Sequence, residues 1–168
     1  MRGAELLTDA FGRVREAVHE AVAGLTADQL AARLDPDANS IAWLVWHLAR
    51  VQDDHLAGAF GAAQVWPRFR ERFGLPLGPL ETGYGHDTRQ VAAVRVTSGE
   101  LLTDYHDAVH EQAVRLVSGV SDAELSLVVD RSWDPPVTLG VRLVSVIADG
   151  LQHAGQAAFI RGCLLRAG

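Results

Sequence analysis

Four stretches of this 168-residue chain place apolar residues three and four positions apart, the spacing of one face of an α-helix. The first runs from about Ala4 to Leu25. Leu7, Phe11, Val14, Val18, Ala21 and Leu25 form its stripe, with Arg13, Arg15, Glu16 and Glu20 between them. The second opens at Asn39-Ser40, both good N-caps, and carries Ile41, Leu44, Val45, Leu48 and Val51 towards Leu56, with Gly58 and Gly61 expected to end it. The third begins at Ser98 and stops near Gly119, with Leu102, Tyr105, Val109, Gln112 and Leu116 on one face. The fourth opens at Thr138 and reaches about Leu165. Between them, Thr26-Ala27-Asp28-Gln29 and Ser121-Asp122-Ala123-Glu124 have the form of capping boxes for short helices, and Asp87-Thr88 caps another. Runs of β-branched residues are short and few. The expected fold is all-α, a four-helix bundle with short connecting helices and one long loop, Gln64 to Asp87, built as a single domain over residues 1–168.

Composition narrows the function. With 48% apolar residues the chain can bury a core, which excludes intrinsic disorder. A single cysteine, Cys163, excludes an internal disulfide framework and a cysteine-rich zinc module. A net charge of -6, with arginines scattered rather than clustered, predicts no nucleic-acid partner. Glu5 and Asp9 break up the start where a secretory leader would be apolar, and Ile41 to Ala49 is too short to span a bilayer. No membrane association and a cytoplasmic location are therefore expected.

Seven histidines carry the remaining chemistry. Asp149 and His153 lie four apart on the fourth helix, on one face, at a spacing where a carboxylate and an imidazole can share a metal ion or simply hydrogen-bond. His47 stands in the apolar run Ile41-Ala42-Trp43-Leu44-Val45-Trp46-His47-Leu48-Ala49, as a satisfied core histidine or as a ligand from a facing helix. His106 and His110 form a rival pair, but Asp104, Asp107 and Glu111 around them predict a solvated face. Asp54 follows His47 two turns on, about 10 Å along the axis, too far to share its metal but able to line a pocket. His55 leaves the helix about 80° from His47 and reads as pointing away. Cys163, on an apolar face, is expected to be inert.

Two separated pieces, Ser40-Ile41-Ala42-Trp43-Leu44-Val45-Trp46-His47-Leu48-Ala49-Arg50 and Asp149-Gly150-Leu151-Gln152-His153-Ala154-Gly155-Gln156-Ala157, resemble the DinB/YfiT-like metal-binding four-helix bundle superfamily over essentially the whole chain. Trp133 to Gly162 is most similar to its actinobacterial mycothiol transferase branch, related to the N-terminal domain of mycothiol-dependent maleylpyruvate isomerase. The resemblance implies a divalent metal, zinc or nickel by the softness of imidazole ligands, held by His47, Asp149 and His153. Asp149 stands where the superfamily commonly has histidine; the isomerases also carry a carboxylate there. It implies a thiol S-transferase that activates mycothiol or a similar low-molecular-weight thiol for attack on a small electrophile, in detoxification. Trp43, Trp46, Arg50, Asp54, Arg142 and Gln156 become candidate pocket residues, the Gln64–Asp87 loop a candidate pocket wall, with Arg50 and Arg142 facing an anionic group. The isomerases carry a further C-terminal domain for which this chain has no room. A metal-dependent hydrolase and a non-catalytic metal-binding stress or scaffold bundle are the alternatives, and a homodimer through a helix face is compatible with each.

Overall fold

The computed structural model describes residues 2–167. Its long helices are α1 (Gly3–Val22), α3 (Ile41–Phe60), α6 (Gly99–Val117) and α7 (Leu139–Ala167). The connections carry three short helices, α2 (Ala27–Ala31), α4 (Arg70–Phe73) and α5 (Thr88–Ala93). A two-stranded antiparallel ribbon, β1 (Val128–Asp130) with β2 (Val137–Thr138), precedes α7. The long helices form a square: α1 and α3 each pack against both α6 and α7. The metal-ligand candidates on α3 and α7 are therefore on neighbouring helices.

Local signals account for most boundaries. Ser40 Oγ accepts from Trp43 N at 3.1 Å and starts α3. Gly58 does not stop it; Gly61 does, in the left-handed conformation at φ +64°. The Thr26 capping box forms as expected and opens α2. The Ser121–Glu124 box also forms, with Ser121 N donating to Glu124 Oε2 at 2.8 Å, but it opens only a 3₁₀ turn, Glu124–Ser126. The long connection after α3 is less irregular than its glycines and prolines suggest, since it folds into a 3₁₀ turn, Trp66–Arg68, followed by α4.

α3 is the central element, buried on every side from Ile41 to Arg50. A helix apolar all round must be covered all round, and the Gln64–Asp87 segment covers the side that no long helix reaches. Around Trp46, Tyr105 and Leu44 the core is aromatic; at the other end Phe11, Leu56 and Leu143 fill it. α1 and α7 approach closely at Gly150, where a Cβ would lie 3.0 Å from Val14 Cγ1. No helix is long and apolar enough to cross a membrane among the described residues.

One expectation is corrected here. His106 is not solvated; it is fully buried, and neither ring nitrogen has a partner. Its sequence neighbours are acidic, but its face neighbours are Leu102 and Val109, which turn it inward. Burial, then the nearby His110, holds its pKa at about 3. The folded state thus excludes a proton that the unfolded chain binds near pH 6.5. The stability this neutral ring contributes is complete above that pH and is lost as pH falls towards 3. His106→Leu removes two unpartnered polar atoms and the titration. Urea unfolding should show a gain of about 1 kcal/mol at pH 7.5, widening at pH 5; equal slopes with pH would contradict this.

Candidate metal centre

His47 comes from α3, and Asp149 and His153 from successive turns of α7. One ligand atom from each lies within 4.8 Å of the other two. The His47 and His153 rings meet edge to face with centroids 4.9 Å apart.

The outer ring nitrogens fix the inner ones. His47 Nδ1 lies 2.6 Å from the Thr82 carbonyl, which only accepts, so Nδ1 carries the proton and Nε2 keeps its lone pair. His153 Nδ1 donates to Gln156 Oε1 at 2.9 Å, which turns its Nε2 towards Asp149 Oδ1 at 3.4 Å. Metal-bound histidines are oriented by this kind of outer hydrogen bond. Burial lowers the His47 pKa, whereas the Asp149 hydrogen bond raises that of His153. Asp149 Oδ2 is buried and has no hydrogen-bond partner. An unpartnered buried carboxylate oxygen is costly. Clustered with two imidazoles whose outer nitrogens are tied back, this carboxylate completes a donor set that fits a divalent ion.

The long connection braces the site. Gly83, at φ +98°, lies against His47, and a Cβ there would be 2.6 Å from His47 Nδ1. Gly83→Ala therefore displaces the Thr82 carbonyl or the imidazole. Metal affinity should fall by roughly 10–100-fold with α-helical content kept, measured by chelator competition and circular dichroism. Unchanged affinity would show that this contact orients nothing.

A cavity of about 600 Å³ opens beside two of the candidate ligands, His47 and Asp149. α3 lines it with His47, Val51, Asp54 and His55, and α7 with Arg142, Ser145, Val146 and Asp149. Thr82 and Tyr84 of the long connection and Asp130 and Trp133 near the ribbon complete the wall.

The pocket candidates separate. Asp54 and Arg142 line the cavity. Trp43 lies behind it, stacked on His47 at 4.6 Å and donating Nε1 to His86 Nδ1. Trp46 is core, edge-on to Trp66. Arg50 is fully buried; it donates to the Glu81 carbonyl and Gln64 Oε1 and faces no open space. Arg142 is already engaged, by Asp130 Oδ2 at 2.6 Å and His55 Nδ1 at 3.1 Å. Gln156 orients His153 and borders a separate shallow groove with Phe159 and Ile160. The Gln64–Asp87 loop, a pocket-wall candidate from sequence, does reach the cavity through Thr82 and Tyr84, whereas sequence reasoning missed His55, Asp130, Trp133 and Ser145. The signal for the helical ones is present: 47, 51, 54 and 55 on α3, and 142, 145, 146 and 149 on α7, are each a complete helical face. Cys163 is half-buried near the end of α7, 3.8 Å from Arg166.

A square of four long helices is the architecture of the DinB-like superfamily. Within it, the sequence profile of mycothiol-S-transferase matches residues 6–164, and the chain belongs to that family. A crystal structure of a conserved protein from Enterococcus faecalis shares the fold at a TM-score of 0.89, with 31% identity over 96% of each chain. A search of curated proteins gave no match.

Proposed function

We propose that this chain is a metal-dependent thiol S-transferase that joins mycothiol, or a similar low-molecular-weight thiol, to a small electrophile. The observation that carries the reading is the buried, unpartnered Oδ2 of Asp149, on a carboxylate clustered with two histidines whose outer nitrogens are tied back. His47, Asp149 and His153 would hold a divalent ion, with zinc or nickel favoured by two nitrogen donors. When bound, such an ion supplies charge that keeps a coordinated thiol deprotonated.

The chain's own residues do the rest. The Thr82 carbonyl and Gln156 hold each imidazole in one tautomer. Asp149 offsets one unit of the cation's charge, so the site is a weaker Lewis acid than one of three histidines. Trp43 closes the site from behind. The 600 Å³ cavity has room for a thiol and an acceptor side by side, and its mouth carries Tyr84 and Trp133, 93% and 66% exposed. A role in detoxification, inside a cell that makes the thiol, follows from such chemistry.

The first test is metal content per chain by elemental mass spectrometry, on untagged protein purified without chelator, beside His47→Ala. Near-stoichiometric zinc or nickel, absent from the variant, supports the site, and thiol consumption with an added epoxide or halide then tests transfer. No metal, and none bound on titration, overturns the enzyme and leaves a non-catalytic bundle.

One further observation bears on assembly, under either reading. α7 is apolar on its outer face too, where Val141, Val144, Leu151 and Phe159 are exposed and uncharged in an acidic protein. Such a face suits a homodimer, whether or not the protein is an enzyme. Sedimentation of wild type against Phe159→Glu decides it: a dimer that dissociates in the variant supports self-association, and a wild-type monomer removes it.

A further inference from the structure

The cavity contains an imidazole that the proposed metal site does not use. His55 lies on α3 two turns beyond His47, and its Nδ1 is 3.1 Å from Arg142 Nη1. A guanidinium can only donate. His55 Nδ1 must therefore accept, and the ring's one proton must sit on Nε2. The arginine cannot turn away, because its Nη2 donates to Asp130 Oδ2 at 2.6 Å. Asp130 is held in turn: it ends β1, paired to Val137 of β2, and its Oδ1 accepts from Ser132 N and Oγ at 2.9 and 2.6 Å. His55 Nε2 has no hydrogen-bond partner within the protein among the described residues. All three residues line the cavity that His47 and Asp149 also line.

We propose that Asp130 and Arg142 lock His55 in the Nε2–H tautomer, so that the cavity presents a fixed, uncharged hydrogen-bond donor to an oxygen of the electrophile. This rests on the transferase reading of the site. The acceptor class it selects is an uncharged electrophile with oxygen on the carbon under attack, an epoxide being the simplest. As the sulfur lone pair forms the C–S bond, the C–O bond breaks and its electron pair stays on oxygen. His55 Nε2–H donates a hydrogen bond to that oxygen without giving up its proton, and water supplies the proton that makes the final hydroxyl. A donor fixed in place before charge develops is the arrangement that stabilises an oxyanion.

Charge agrees with geometry. Burial and then Arg142 hold the His55 pKa below its ordinary value, against the opposing carboxylates Asp54, Asp149 and Asp130. A neutral imidazole is the better-defined donor here, because protonation of Nδ1 would set an N–H against the guanidinium N–H. The same engagement leaves Arg142 without a spare fork for an anionic acceptor.

The test has two arms. Long-range ¹H–¹⁵N spectra of histidine-labelled protein at pH 7.5, with and without zinc, should show His55 protonated on Nε2 alone. Arg142→Leu should mix the tautomers. A wild-type His55 protonated on Nδ1, or a spectrum unmoved by Arg142→Leu, overturns the lock. In the second arm, His55→Phe at unchanged metal content should lower kcat/KM for an epoxide about 10²-fold more than for an alkyl halide, mostly in kcat. His55→Gln, whose amide can donate, should recover much of it. Equal losses on both acceptors overturn the donor role. A locked His55 in a metal-loaded protein that transfers no thiol overturns the donor role and the transferase reading together while leaving the lock standing.

Discussion

Asp149→Ala is expected to move metal affinity and metal-free stability in opposite directions. The metal-free protein keeps Asp149 Oδ2 buried with no partner, and its other oxygen has only a 3.4 Å contact with His153. An unsatisfied buried acceptor costs about 1–3 kcal/mol, more than a long, half-exposed ion pair returns. Removing the side chain should therefore stabilise the metal-free protein by about 1 kcal/mol, roughly 2–4 °C in Tm for a domain of this size. The same change takes one of the three proposed ligands and its charge. Zinc affinity should drop by more than about 100-fold, beyond what losing an orienting partner costs. Wild type in zinc at 100 times its Kd gains about 2.7 kcal/mol by mass action, and the variant should gain less than about 0.4 kcal/mol at that concentration. Calorimetric melts of both proteins, with and without zinc, check each sign. A variant that is less stable without metal and still shifts with zinc would make Asp149 an ordinary structural carboxylate.

How much of this was legible in the sequence depended on whether a signal was local. Helix positions followed from 3–4 spacing, and the caps at Ser40, Thr26 and Asp87 followed from side chains that bond within three residues. The clustering of His47, Asp149 and His153 was also legible, because Asp149 and His153 share a face and a bundle brings facing helices together. The directions of single polar residues were harder to read. Arg50 was assigned to a pocket and His106 to solvent, yet both are fully buried. For His106 the acidic linear neighbours misled, because exposure is set by residues three and four away; Arg50 was given an anionic ligand as its partner, whereas the Gln64–Asp87 segment folds over it and supplies its acceptors. His55 was set aside because it leaves α3 at an angle to His47, but a cavity this size spans more than one residue's width of a helix. The positions of Thr82, Tyr84, Asp130 and Trp133 come from non-helical chain, where no periodicity reports direction.

Asp53→Ala is expected to be the most destabilising of these substitutions and to weaken the metal centre without touching it. The Asp53 carboxylate is fully enclosed and accepts from Val65 N at 2.8 Å, Trp66 N at 2.7 Å and Tyr105 Oη at 2.9 Å. Arg50 Nη1 lies 3.6 Å from it, also with no exposure, and Arg50 Nη2 already lacks a partner. Burial raises the Asp53 pKa, which shows how strongly enclosure opposes the charge that these donors support. Truncation leaves a buried guanidinium without its counter-charge and two backbone donors without an acceptor. Breaking such a buried pair costs about 3–5 kcal/mol, and urea unfolding should show a loss of that size. Asp53→Asn keeps one acceptor oxygen and should lose less. The consequence for the site runs through Arg50, whose Nε donates to the Glu81 carbonyl at 3.0 Å; the next carbonyl, of Thr82, is the one that orients His47. If Arg50 is released, that stretch of the long connection loses its anchor to α3, and zinc affinity should fall by roughly 10–100-fold in protein that is still folded. An Asp53→Ala variant with wild-type zinc affinity would show that the Thr82 contact is held by Gly83 and the His86–Glu81 pair alone.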